Sequence, residues 1–210
     1  MIVRAFAGGP LATIGYLAYD RAGGAAAIID APLGTTKRIM EVIAAAEVKV
    51  LYLITTHGHW DHIADNVALL EATGATLCAH TWDATRMANP HLASEDEFTL
   101  PVPPSRPDHY VSDGEVLPLG ECNLVVMHTP GHTPGSICIH DTEASVVFTG
   151  DTLYRMGVGR TDFPGANPQH LNKSLLRLAA LPDKTRVYPG HGSPTTIKEE
   201  RWLLELSALA

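Results

Sequence analysis

The 210-residue sequence predicts an α/β fold, and three observations carry that expectation. Short apolar runs of β-strand character alternate with segments of helical periodicity. Hydrophobic residues make up 45% and charged residues 18%, values of a globular chain with a substantial core. No apolar run reaches the roughly 18–20 residues that a membrane-spanning helix needs. The expected organisation is a single domain over residues 1–210.

The elements follow in order. "MIVRAF" and "IGYLAY" read as opening strands, and "AAAIID" (25–30) as a third. "TTKRIMEVIAAAEV" reads as a helix, with Thr35 available as N-cap and Ile39 and Ile43 on one face. "VKVLYLIT" (48–55) is a continuous apolar run, as in a strand buried on both faces. The next helix carries Ile63, Val67 and Leu70, and Gly74 fits just past its end. "LPVPPSRPDHY" (100–110) holds four prolines and excludes a regular element; it is expected to be a surface loop near the site. "EVLPL", "CNLVVMH", "SICIH" and "SVVFTG" read as strands at hairpin spacing. "PQHLNKSLLRLAAL" reads as a helix, "TRVYPG" as a strand and "TIKEERWLLELSAL" as a closing helix.

The formal net charge is −8, which argues against a nucleic-acid partner. Cys78, Cys122 and Cys138 are odd in number and lack a C-x-x-C spacing, so a reduced, cytoplasmic setting is expected. The first twenty residues have no continuous apolar stretch of the kind a signal peptide carries. The expected partner is a small-molecule substrate, with neither nucleic acid nor membrane.

"THGHWDH" (56–62) lies where the strand 48–55 hands over to a helix. In extended backbone, residues two apart share a side, so His57 and His59 can grip one ion together. Asp61 and His62 follow as the chain turns into the helix and can diverge toward a second ion. Three later segments supply more ligand types, each at a strand end: His132 in "TPGHTPGS", Asp151 in "FTGDTL" and His191 in "YPGHG". The flanking glycines let the backbone turn where a Cβ would clash. Five histidines and two aspartates exceed what one tetrahedral ion with an open position requires. They suit two ions that share a bridging carboxylate. His57, His59 and His132 are assigned to the first ion, Asp61, His62 and His191 to the second, and Asp151 to the bridge. Imidazole and carboxylate ligands fit two divalent ions: zinc, or alternatively iron or manganese. His80, His91, His109, His128, His140 and His170 lack this framing and are expected to be surface or core residues. Cys78 and Cys138 are expected to be buried strand residues, and Trp60 to pack beside the site.

In order and spacing, "THGHWDH", "TPGHTPGS", "FTGDTL" and "YPGHG" resemble the metallo-β-lactamase superfamily over nearly the whole chain. The resemblance implies a four-layer αβ/βα sandwich with the metals at one edge between two sheets. "GDTLYRMGVGRTDFPG" (150–165) and "YPGHGSPTT" (188–196) are similar to the compact hydroxyacylglutathione hydrolase (glyoxalase II)-like group. That group implies hydrolysis of an anionic, glutathione-type thioester by a metal-bridging hydroxide, with Asp61 both a ligand and the residue that orients the nucleophile. Arg160, after the "GVG" turn, is the candidate for binding a substrate carboxylate, with an ion pair to Asp162 as its alternative role. The chain departs from the larger enzymes at two positions, where their glutathione-contacting tyrosines are replaced by Asp162 and Ser193. It is also expected to lack their C-terminal helical extension. A mononuclear-iron sulfur (persulfide) dioxygenase, which shares the segment "GRTDF", is the first alternative; lactonase and β-lactamase activities are further ones.

Overall fold

In the computed structural model, residues 1–90 and 100–208 are described, apart from the side chains of 206–208; His91 lies outside them. Two six-stranded mixed sheets carry the chain. The first runs β1 (Ile2–Gly8), β2 (Thr13–Tyr19), β3 (Ala25–Ile29), β4 (Lys49–Ile54), β5 (Thr76–His80) and β6 (His109–Val111), in that order across the sheet. Its first three strands are antiparallel, and from β3 onward the pairings are parallel. The parallel steps need crossovers. α1 (Thr36–Ala46) makes the first, α2 (Trp60–Ile63) with α3 (Asn66–Thr73) makes the second, and α4 (Ala84–Ala88) lies in the third.

The second sheet has the order β14-β13-β10-β9-β8-β7. Its strands are β7 (Val116–Leu119), β8 (Cys122–His128), β9 (Ile137–Asp141), β10 (Val146–Gly150), β13 (Arg186–Pro189) and β14 (Thr195–Thr196). α5 (Pro168–Ala179) crosses from β10 to its parallel neighbour β13. A small hairpin, β11 (Leu153–Tyr154) and β12 (Gly157–Val158), precedes that helix.

Alternation along the strands sorts the apolar side chains into layers. Tyr16, Ala18 and Ile29 of the first sheet meet Leu124, Ile137, Ile139 and Phe148 of the second in the central core. Leu17, Ile28 and Leu53 point the other way, toward Ile39 of α1 and Leu69 of α3. Cys138, Val147 and Val187 point outward to Leu171, Leu175 and Leu178 of α5. The result is helix, sheet, sheet, helix, the four-layer sandwich the sequence implies. Each fully buried Leu, Ile or Phe contributes about 1.5–3 kcal/mol to holding the layers together.

Four expectations change. The helix anticipated from Ile63 to Leu70 is two helices, α2 and α3, broken at Ala64–Asp65. The Asp65 carboxylate accepts hydrogen bonds from the Gly34, Thr35 and Thr36 amides and so caps α1 from a distance. Thr35 sits at the N-cap position, but its hydroxyl donates to Pro32 O instead of capping the helix. The proline-rich segment has no regular structure up to β6, as expected, but it is anchored to the first sheet and its helices. Val102 packs into the outer core, the Ser105 amide donates to Met87 O, and the Asp108 amide to Leu77 O. The closing helix is also shorter: Thr195 and Thr196 pair with β13, and a 3₁₀ helix runs Arg201–Ala208. Glu200 turns inward, where its carboxylate accepts hydrogen bonds from Thr195 Oγ1, the Met156 amide and Trp202 Nε1.

Candidate metal centre

The ends of β4, β8, β10 and β13 lie together where the two sheets meet. Backbone bonds fasten the junction: Ile14 N–H donates to Gly190 O, Ile137 N–H to Thr56 O, and the Tyr16 hydroxyl to Pro189 O. All seven residues singled out by spacing arrive here. His57 follows β4, and Asp61 and His62 occupy the first turn of α2. His132 follows β8, Asp151 follows β10, and His191 follows β13.

Three overlapping groups could each hold a cation: His57–His59–His132, Asp61–His62–His191, and His57–His62–Asp151, which links the other two. In the first, His59 Nδ1 lies 3.1 Å from His57 Nε2 and 2.9 Å from His132 Nε2. In the second, Asp61 Oδ2 lies 3.5 Å from His62 Nε2 and 3.3 Å from His191 Nε2. Asp151 stands between them. Its Oδ1 is 3.2 Å from His62 Nε2, and its Oδ2 is 3.5 Å from His132 Nε2 and 3.6 Å from His191 Nε2. His57, Asp61, His62, His132 and Asp151 are buried, while His59 and His191 are partly exposed and leave an approach from solvent.

Bonds around the groups fix which ring nitrogen faces inward. His62 Nδ1–H donates to Asp30 Oδ2 at 2.8 Å, and His132 Nδ1–H donates to Arg160 O at 2.8 Å. The Thr56 hydroxyl donates to Asp30 Oδ2 and faces His57 Nδ1 at 3.1 Å, so the His57 Nδ1–H donates to that hydroxyl. Each of these three rings therefore turns an Nε2 lone pair into the centre. His62 Nε2 and Asp151 Oδ1 are buried, and neither makes a well-formed hydrogen bond. A cation between them would satisfy both, so the donor set fits a metal ion on this chain's own geometry.

The electrostatics of the two groups differ. Burial, then the neighbouring imidazoles, hold His57 well below the ordinary histidine range; burial and His132 bring His59 down to about 3. For His62 burial acts in the same downward direction, but Asp61, Asp151 and Asp30 outweigh it and raise it well above that range. His191 is raised likewise, its burial outweighed by Asp61 and Asp151. For Asp61, burial is outweighed by His62, His191 and Thr13, which lower it to about 2; Asp151 is lowered chiefly by His62 against its own burial. A depressed histidine takes up its proton at lower pH than a free imidazole, a raised one at higher pH. Protons therefore compete with metal at the Asp61–His62–His191 group at higher pH than at the His57–His59–His132 group. On acidification, the ion at the former should leave first. Equilibrium dialysis over a pH series with elemental analysis checks this; simultaneous loss of both ions would contradict it.

Several contributors were not singled out from sequence. Asp30, at the end of β3 with a φ of 58°, takes three hydrogen bonds from Thr56 and His62. Thr13, buried at the start of β2, donates to Asp61 Oδ2 at 2.6 Å. Phe163 packs its ring 5.2 Å from His59 and 6.0 Å from His132, and Tyr154 sits 5.9 Å from His191. Burial and then Asp151 push the Tyr154 phenol far upward, so it stays protonated. If Thr13 aims the Asp61 oxygen, Thr13→Val should weaken binding of one ion by about 10–100-fold, as losses of such supporting bonds do, and Thr13→Ser should restore it. Chelator competition reads the affinity; equal weakening in both variants would make Thr13 only a packing residue.

Of the remaining candidates, Arg160 has its guanidinium on Asp162, through bonds of 2.9 and 2.7 Å, and stacked over Phe163 at 4.3 Å. Its carbonyl, not its side chain, touches the ligand set. Cys78 and Cys138 are buried, and burial pushes their thiols up to about 12 and about 11. Trp60 packs against the outer core. His80, His109, His128, His140 and His170 join neither metal group. Among the described residues, no helix is long and apolar enough to cross a membrane.

Comparison with known proteins agrees with this geometry. The family model described as metallo-beta-lactamase superfamily matches residues 13–191, which span all seven clustered residues. A relative from Haemophilus influenzae, named hydroxyacylglutathione hydrolase GloC, is 35% identical over 179 residues, 84% of each chain. Among solved structures, BLEG-1 B3 metallo-beta-lactamase is similar with a TM-score of 0.87 and 30% identity, covering 95% of this chain and 96% of the other. TTHA1623, solved in a di-iron-bound form, is similar with a TM-score of 0.82 and 34% identity over 94% of this chain and 96% of the other. With its His/Asp metal-binding groups at the joined strand ends, the chain belongs to the metallo-beta-lactamase superfamily as a hydrolase-like member.

Proposed function

We propose that the chain hydrolyses an anionic, glutathione-type thioester at a dinuclear centre, with His57, His59 and His132 holding one ion, Asp61, His62 and His191 the other, and Asp151 bridging. The observation that carries this reading is the position of Asp151, whose two oxygens lie 3.2–3.6 Å from imidazole nitrogens of both groups. The relative named hydroxyacylglutathione hydrolase supports the substrate class. Zinc is the proposed metal, with iron as the alternative that the di-iron form of TTHA1623 keeps in view.

A bound divalent pair supplies a nucleophilic water at neutral pH and a Lewis acid toward the carbonyl oxygen. The chain's own residues do the rest. Thr13 fixes the Asp61 carboxylate, which orients the attacking water. Asp30 and Arg160 O lock the His62 and His132 rings, and Phe163 packs edge-on against His59 and His132. No protein nucleophile is required, in keeping with the burial of Cys78 and Cys138. A thiolate leaves readily, so a general acid is less critical than it would be for an amide.

Arg160 keeps a proposed role in holding a substrate carboxylate. Its pair with Asp162 is exposed, 62% and 64% for the two side chains, and water screens such a pair, so a carboxylate can displace the aspartate. A panel of S-D-lactoylglutathione, glutathione persulfide, a lactone and a β-lactam tests the whole reading. Thioester cleavage is expected to dominate, with Arg160→Ala raising KM for the anionic thioester while kcat holds. Oxygen uptake with the persulfide and no thioester cleavage would move the protein to the dioxygenase class. Faster turnover of the β-lactam would overturn the substrate assignment.

A further inference from the structure

A second cleft lies behind the loop that carries His132, and none of its walls comes from the metal groups. Its cavity of about 340 Å³ is bounded by Trp82, His128 and Pro130 on one side and by α5 on the other. That volume falls within the range of small-molecule sites. His170, Lys173, Ser174 and Arg177 stand at i, i+3, i+4 and i+7, so a single face of α5 lines it.

Two features give the cleft its chemistry. The first is an aromatic wall. The His80 and His128 rings stack at 4.0 Å and 8° apart, and Trp82 stands edge-on to both at 5.3 Å. His128 is held by donating from Nε2 to Pro134 O at 2.9 Å, yet Trp82 is 59% exposed. A large indole held in place and left open to solvent is a platform for another ring. The second is positive charge in a chain of net charge −8. Arg177 is fixed by His128 O at 2.7 Å and by Asp113 at 2.9 Å. Asp113 offsets Arg177, while Lys173 has no ion pair among the described residues. Lys173, which lines the cleft together with Arg177, is thus the cation able to meet an incoming anion.

We infer that this cleft binds a ligand with a flat ring and a phosphate, of the nucleoside phosphate class, with the ring on Trp82 and the phosphate at Lys173. The site is separate from the proposed hydrolytic centre and does not depend on which substrate that centre takes.

The test is calorimetric titration of the zinc-loaded chain with AMP, adenosine and inorganic phosphate. AMP is expected to bind at or below about 1 mM, the weak end of specific recognition, and at least tenfold more tightly than adenosine or phosphate alone. Trp82→Ala and Lys173→Glu should each weaken AMP by tenfold or more, while Trp82→Phe, which keeps a ring, should retain most of the affinity. Absence of AMP binding, or binding that neither variant weakens, as for AMP held at the metals, would overturn the inference. So would a loss confined to Trp82→Ala, because the phosphate would then have no place at Lys173.

Discussion

Asp151→Asn should cost one of the two ions and nearly all turnover. Asparagine keeps the shape of the side chain but removes the negative charge and turns one oxygen into an NH2 group, which has no lone pair to offer a cation. Both Asp151 oxygens are committed: Oδ1 lies 3.2 Å from His62 Nε2, and Oδ2 lies between His132 Nε2 and His191 Nε2 at 3.5 and 3.6 Å. Loss of a supporting partner costs about 10–100-fold in metal affinity, so loss of a bridging ligand should exceed about 100-fold for the weaker ion. The fold should survive, since Asp61 and Asp30 still face His62. Elemental analysis after dialysis checks the count, and thioester turnover checks the rate. Two retained ions with undiminished turnover would remove Asp151 from the bridge.

Gly190→Ala should have a comparably large effect without touching a ligand. A Cβ at this position would lie 2.4 Å from Asp151 Oδ1, 2.6 Å from His62 Cε1 and 3.1 Å from Gly150 C. The backbone cannot retreat, because the Gly190 amide donates to Gly150 O at 2.8 Å and its carbonyl accepts from Ile14 N–H at 2.7 Å. The methyl must displace the two side chains that the metal reading needs most. The expected outcome is loss of metal together with about 1–3 kcal/mol of stability, the usual cost of overpacking. Gly192→Ala is the control. Its Cβ meets nothing within 4 Å and pays only for a φ of +79°, about 1–2 kcal/mol, so metal should stay bound. Urea unfolding with metal analysis separates the two. Equal metal retention in both variants would mean that the junction at Gly190 is looser than these distances require.

The seven clustered residues were legible because their signal is local: "THGHWDH" packs four ligands into seven residues, and the other three each follow an apolar strand run. The layered sandwich was legible for the same reason, since alternation in segments such as "SICIH" and "SVVFTG" survives as inward and outward faces. Residues that act across the sequence were not. Asp30 reads as the polar end of "AAAIID", and nothing nearby reveals that Thr56 and His62 donate to it; the available signal was an acidic residue closing a fully apolar strand. Thr13 reads as an ordinary β-branched residue, although 48 positions separate it from Asp61. Asp65 breaks a helix whose apolar spacing looked continuous because its carboxylate serves α1, about thirty residues earlier. Arg160 drew notice for its side chain, whereas its carbonyl, which any residue has, is the group that reaches His132.

In the proposed reaction, two metal positions share Asp151 and act together on a thioester. The most direct test is a titration of the metal-free chain with zinc, following bound metal and S-D-lactoylglutathione hydrolysis in the same samples. The account predicts saturation at two ions per chain, with hydrolysis rising as the second ion binds and absent in Asp151→Asn at every ratio. Saturation at a single ion with full hydrolysis, or two ions with no hydrolysis at any ratio, would contradict it.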